Sequence, residues 1–196
     1  MLPAYLRDLH EFDYLLVVDL ESTCCDDGSI SAGQHEIIEI GAVMVNTNDF
    51  SIVDEFTTFI KPQTHPILTS FCTQLTTITQ DNIDNAPVYI DAVELFTTWL
   101  SRFDNYLFCS WGNYDRNHLA SDSERFCVEN PVKVPHVNVK KLFAKRQKVK
   151  PMGMKWALQL IDVELDGIHH RGIDDAKNIV KLLPYIFGRE SLSREK

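Results

Sequence analysis

Asp19 and Glu21 stand two residues apart in "YLLVVDLES" (14–22). The run before them is continuous, apolar and β-rich, as expected of a strand buried on both faces. Side chains two apart on a strand share a face, so both carboxylates point the same way and Leu20 points the other. Two anions at the edge of a core repel each other, and their pKa values rise unless a cation or hydrogen-bond donors offset them. Asp115 follows "SWGNY", just past a strand read at 106–111. Open α/β sheets place ligands at such a strand end. A carboxylate there also suits the first turn of a helix, where the dipole favours it.

A second group lies in "IHHRGIDDAKN" (168–178), where His169 precedes Asp174 by the same interval as His170 precedes Asp175. The helix read from Gly172 to Phe187 carries its apolar residues at Ile179, Val180, Leu182, Leu183 and Ile186. Helical steps back from Ile186 and Ile179 land on Asp175, which therefore faces the sheet. Asp174 aligns with Lys177 and Asn178 on the solvent side and suits the helix N-terminus. On this reading Asp175 and His170 form the inward pair, and His169 has no inward partner.

The elements that must position these groups follow the hydrophobic pattern. Strands are expected at 14–20, 35–45 and 51–61, the latter two joined by "NTNDF", then at 106–111 and 136–139. Short helices are expected in "ILTSFCTQLTTITQDNIDNAP", with longer ones at 88–103, 113–130, 153–162 and 172–187. Three early strands followed by alternation of helix and strand indicate a mixed sheet with helices packed on it. No repeat, low-complexity tract or Gly/Ser linker divides the 196 residues, so one domain, 1–196, is expected.

Composition narrows the class. At 44% hydrophobic and 24% charged the chain is near the globular average. No stretch approaches the ~20 apolar residues of a membrane span, and the N-terminus lacks the basic-then-apolar order of a signal peptide. A soluble, intracellular (cytoplasmic) protein without membrane contact is expected. The five cysteines include no C-x-x-C spacing and read as reduced thiols. The net charge of −9 argues against coating long duplex nucleic acid, though not against a small footprint. Seven basic residues concentrate at 140–155: Lys140, Lys141, Lys145, Arg146, Lys148, Lys150 and Lys155. They form either a solvated helix and loop or a phosphate-facing rim. Trp99 and Trp156 lie on amphipathic helices and are expected in the core. Trp111 suits either place.

Taken together, "VDLEST", "WGNYD" and "HHRGIDDAKN" resemble the DEDDh class of 3′–5′ exonucleases over roughly residues 12–187. The similarity extends to the Eri-type exoribonuclease branch through "LTSFCTQLTTITQDNIDNAP", "SWGNYD" and "HVNVKKLF". Gly172 stands two residues after His170, as the branch's glycine does after its histidine. Thr77 stands where the branch usually has glycine.

The resemblance implies a ribonuclease-H-like α/β fold, its mixed sheet antiparallel in the first strands and then parallel. It implies release of nucleoside 5′-monophosphates from the 3′ end of RNA. Asp19, Glu21, Asp115 and Asp175 would supply four charges for two divalent cations, and hard oxygen ligands suit Mg²⁺ or Mn²⁺. Asp19 would bridge the two, and His170, with an ordinary pKa near ~6.5, would be the general base. Phe71 and Tyr114 would hold the terminal base, and Glu21 and Thr23 the terminal ribose, where a 2′-OH contact favours RNA. The substrate would be single-stranded RNA or a short 3′ overhang. Without an appended binding domain, short substrates or a recruiting protein are expected. Two other classes share the pattern: a DNA exonuclease of proofreading or repair type, and a non-catalytic binding module. The module would be expected to lack an acid or the histidine.

Overall fold

A computed structural model describes residues 9–192. The central strand is β1 (Tyr14–Ser22). It pairs antiparallel with β2 (Ile37–Asn46), which pairs antiparallel with the edge strand β3 (Ile52–Phe59). On its other side β4 (Tyr106–Ser110) and then β5 (His136–Asn138) run parallel, giving the order β3-β2-β1-β4-β5. The mixed sheet expected from the sequence is the one observed.

The period-two alternation of β1 builds two cores. Leu15 and Val17 face a cluster completed by α5 (Val139–Gln147), α6 (Met154–Leu160) and α7 (Gly172–Phe187). Leu16, Val18 and Leu20 face the opposite cluster, formed with α3 (Tyr89–Leu100) and α4 (Tyr114–Arg125). Leu15 through Val18 are fully buried, each contributing about 1.5–3 kcal/mol relative to exposure. Continuing the odd parity puts Asp19 and Glu21 on the α7 face.

The region after β3 folds into two short helices, α1 (Ser70–Thr76) and α2 (Gln80–Asp84). The helix expected at 113–130 ends at Arg125, because Phe126 caps it and Cys127 turns to φ +53°. Thr77 closes α1 at φ +62°, with its N–H on Thr73 O. That left-handed backbone explains the glycine at the corresponding position of the resembled branch, since a Cβ is disfavoured there. All five cysteines are free thiols. No helix is long and apolar enough to cross a membrane.

The tightest packing lies where α7 meets the sheet. A Cβ added to Gly41 on β2 would fall 2.0 Å from the carbonyl carbon of Gly172, and one on Gly172 would fall 2.8 Å from Asp19 O. Two glycines facing each other let the first turn of α7 rest on the backbone of β1 and β2. Gly41→Ala should therefore force α7 outward and cost roughly 2–4 kcal/mol in urea denaturation. Gly33→Ala, with nothing within 4 Å, should change stability by less than about 0.5 kcal/mol. Thr77→Gly should add about 0.5–1 kcal/mol, read as a higher denaturation midpoint.

Candidate active site

The register of β1 and β2 sets Asp19 opposite Gly41 and Glu21 opposite Glu39. With Gly41 lacking a side chain, α7 lies close enough for Asp175, in its first turn and 4% exposed, to reach the same space. Asp19, Glu21 and Asp175 offer carboxylate oxygens within 4.8 Å of one another. Asp115, in the first turn of α4, is 5% exposed and accepts the Leu20 N–H through Oδ1 at 3.1 Å. That bond ties α4 to the end of β1. The four acids line one cleft of about 420 Å³ together with His169 and His170.

The electrostatics match this crowding. Burial, then repulsion from Asp115, Glu21 and Asp175, holds the Asp19 carboxyl well above the usual carboxylate range. Burial, followed by Asp175 and Glu39, pushes Glu21 up to about 8. Burial raises Asp115 to about 6, although the Leu20 N–H opposes it. Among the described residues no Lys or Arg pairs with Asp19, Glu21 or Asp115. A cluster of hard oxygen donors, repelling one another and open to a cleft, fits Mg²⁺ or Mn²⁺ rather than a soft metal.

The doublets and their helix depart from the helix-face expectation in two respects. The first is that Asn178, expected on the solvent side, is fully buried and donates its amide to Asp166 O and Asp174 O. Asp174 does act at the helix start, accepting the Ile168 N–H through Oδ2 at 2.8 Å. His169, however, has an inward partner: its Nδ1 lies 2.9 Å from Asp175 Oδ2. The reason is the turn before α7. His170 takes φ +65°, a left-handed conformation that folds His169 back over Asp175, and helical periodicity does not extend into such a turn. His170 gives its backbone N–H to Asp175 Oδ2 at 3.1 Å and stacks its ring on His169 at 3.9 Å. Its ring nitrogens make no hydrogen bond among the described residues. Burial, and then His169, lowers its pKa.

Behind the doublets, Glu39 is fully buried and satisfied. Arg171 holds it through Nε and a terminal nitrogen, each at 3.1 Å, and the Gly172 N–H reaches Oε2 at 3.0 Å. Glu36 plays a similar part for the loop before α1, its buried carboxylate accepting the N–H groups of Gln63, Thr64 and His65. An isolated buried Glu on an apolar strand signals a partner but not its identity, so neither contact was legible.

The residues expected to hold substrate divide. Tyr114 is half exposed, lines the cleft and shares a 2.7 Å hydrogen bond with Ser22 Oγ. Phe71 is half-buried on α1 and does not border the cleft. Thr23 is 1% exposed and its hydroxyl accepts the Glu36 N–H at 2.9 Å, so that side chain stitches loop to strand. Trp99 is core, but Trp156 is 67% exposed and borders the cleft. Sequence could have shown this: Met154, Ala157 and Leu158 form the buried stripe of α6, with Ile161 continuing it half-buried just past the helix, and Trp156 falls off it. Trp111 does both, packing on the α7-side core while donating Nε1 to Met152 O. Of the seven basic residues at 140–155, Lys155 alone borders the cleft.

Comparison with known proteins agrees with this arrangement. The RNase_T exonuclease family model matches residues 16–183. "ERI1 exoribonuclease 2" of Homo sapiens is 33% identical over 87% of this chain and 28% of its own length. "3'-5' exoribonuclease 1" of Rattus norvegicus is 29% identical over 87% of this chain and 52% of its own. The chain thus spans about a quarter to a half of these relatives. A crystal structure of the nuclease domain of 3'hExo, described as a DEDDh family member bound to rAMP, superposes with a TM-score of 0.83 at 26% identity. It covers 94% of this chain and 97% of that one. With its four acids at one strand end, its histidine turn and its mixed sheet, the chain belongs to the RNase_T exonuclease family, in the DEDDh class to which the Eri-type exoribonucleases are related.

Proposed function

We propose that the chain is a metal-dependent 3′–5′ exoribonuclease that removes nucleoside 5′-monophosphates from the 3′ end of single-stranded RNA or a short overhang. The convergence of Asp19, Glu21, Asp115 and Asp175 on one cleft beside a free histidine ring carries this reading. Exoribonuclease names among the relatives support RNA as substrate.

In this reading Asp19, Glu21, Asp115 and Asp175 would hold two Mg²⁺ or Mn²⁺ ions. When bound, the ions supply positive charge to the phosphoryl oxygens of an in-line displacement. The protein's own groups do the rest. His170 accepts a proton from the attacking water at a free ring nitrogen, which its lowered pKa keeps unprotonated at neutrality. The water oxygen bonds to phosphorus as the P–O3′ bond breaks and O3′ takes a proton from solvent, leaving a 5′-monophosphate and a new 3′-OH on the shortened strand. His169, held by Asp175, orients that carboxylate and stacks under His170. Tyr114, fixed by Ser22, offers its ring to the terminal base, and Glu21 faces the terminal ribose.

Digestion of matched 5′-labelled RNA and DNA should give a stepwise ladder from RNA, blocked by a 3′-phosphate and abolished by excess EDTA. Activity persisting in EDTA, or cutting of circular RNA, would overturn the reading. His170→Ala should lower kcat about 10²–10⁴-fold. His169→Ala should cost less, and a dead His169→Ala beside an active His170→Ala would reassign the base. Asp175→Asn should abolish activity, while Asp174→Asn should cost under ~1 kcal/mol of stability and leave kcat intact.

The metal-free protein should respond to pH in a definite direction. Glu21 titrates near 8 when folded against 4.5 otherwise, so between these values the folded state binds the extra proton. Stability should therefore be highest at the acid end of that window and fall as pH rises through about 8. Mg²⁺ or Mn²⁺ should raise the melting temperature most at the alkaline end, where the acids are ionised. A metal-independent melting curve would count against the cluster as a metal site.

A further inference from the structure

The cleft has two exposed aromatic walls, and the proposed reaction uses one. Tyr114 stands on α4, which packs on the Leu16–Val18–Leu20 face of the sheet. Trp156 stands on α6, which packs on the Leu15–Val17 face through Met154, Ala157 and Leu158. The two rings thus flank the acids from opposite faces of β1. An indole left 67% exposed is a large apolar surface, and its helix is firmly seated: Met154 is 5% exposed, Ala157 fully buried, and Trp111 Nε1 fastens Met152 O just before it. The indole leans back over the start of its helix, where a Cβ on Gly153 would lie 3.6 Å from Cδ1, and so toward the cleft. Beside it Lys155 is exposed, borders the cleft and has no carboxylate partner among the described residues. Its charge reaches His170.

We propose that Trp156 and Lys155 form the subsite for the penultimate nucleotide, the indole stacking on its base and the ammonium meeting its phosphate. This rests on the exonuclease reading, in which the terminal base lies at Tyr114 and the scissile phosphate over the acids. The next nucleotide then leaves the acids toward the α6 wall. A base on an indole is a sequence-tolerant contact, because every base has a π-face. Lys155 supplies a point charge that tolerates a moving backbone. The subsite lets the shortened strand be held while the released monophosphate departs.

The test uses single-stranded RNA, the same RNA with an abasic penultimate ribose, and the 4-nitrophenyl ester of a nucleoside 5′-monophosphate, which has no upstream nucleotide. Trp156→Ala should raise KM on intact RNA about tenfold with kcat nearly unchanged, and Trp156→Phe should retain most of the affinity. On the abasic RNA wild type and Trp156→Ala should coincide, and the nitrophenyl ester should be hydrolysed equally by both. Lys155→Met should flatten the log–log salt dependence of KM by about 0.7. Equal loss for Trp156→Ala on intact and abasic RNA, or no loss on either, would overturn the subsite while leaving the exonuclease reading standing. A wild-type protein that releases no monophosphate from RNA or from the ester would overturn both.

Discussion

The architecture turns on the contact between Gly41 and Gly172. Backbone meets backbone there, since a Cβ on Gly41 would lie 2.0 Å from the α7 main chain. Everything chemical follows from that approach. Asp175 reaches Asp19 and Glu21 because α7 begins against the sheet, and the two strand residues opposite those acids are a glycine and a glutamate. The glutamate, Glu39, is the second half of the device. Its carboxylate takes both Arg171 and the Gly172 N–H, so the first turn of α7 is clamped as well as admitted. Breaking a buried ion pair by removing one partner costs about 3–5 kcal/mol, enough to make the clamp decisive for where the helix starts.

The clamp also explains how four acids can sit together. Crowded carboxylates raise one another's pKa, and an unconstrained site would relax by moving apart. Here Asp19 and Glu21 are fixed by the ladder to β2, Asp115 by the Leu20 N–H, and Asp175 by α7. Crowding that cannot relax by movement appears instead as raised pKa values, so the acids hold protons to higher pH. The strained backbone at His170 belongs to the same economy: a left-handed, non-glycine residue next to a functional carboxylate is held there by its surroundings.

The cleft is built asymmetrically from the two faces of one sheet. Helix α4 brings an acid and an aromatic ring from one face, while α6, α7 and the turn before α7 bring an acid, two imidazoles, a lysine and an indole from the other. The alternating side chains of β1 pack on both sets, and β1 carries Asp19 and Glu21 itself, so it sets the spacing between them. This also accounts for the fate of the basic stretch. Helix α5 packs Val139, Leu142, Phe143 and Ala144 inward and leaves its lysines away from the cleft, where Lys155 is the lysine or arginine that borders it among the described residues.

Much of this was written locally in the chain. The apolar run of β1, the two-residue spacing of Asp19 and Glu21, and the helical stripe that turned Asp175 inward are short-range periodicities, and such patterns survive without tertiary information. The mixed sheet followed from the order of elements. What the chain did not disclose were contacts between residues far apart. Glu39 with Arg171, Glu36 with the loop at 63–65 and Thr23 with Glu36 are pairings that no local pattern encodes. His169 departs from the helical expectation because the left-handed His170 breaks the period two residues before the helix begins. Trp156 departs from the core expectation for an aromatic residue on an amphipathic helix, because the stripe of its own neighbours leaves it outside. Periodicity determines which face a side chain takes. Only the packed fold decides what stands opposite that face, and here it was a cleft.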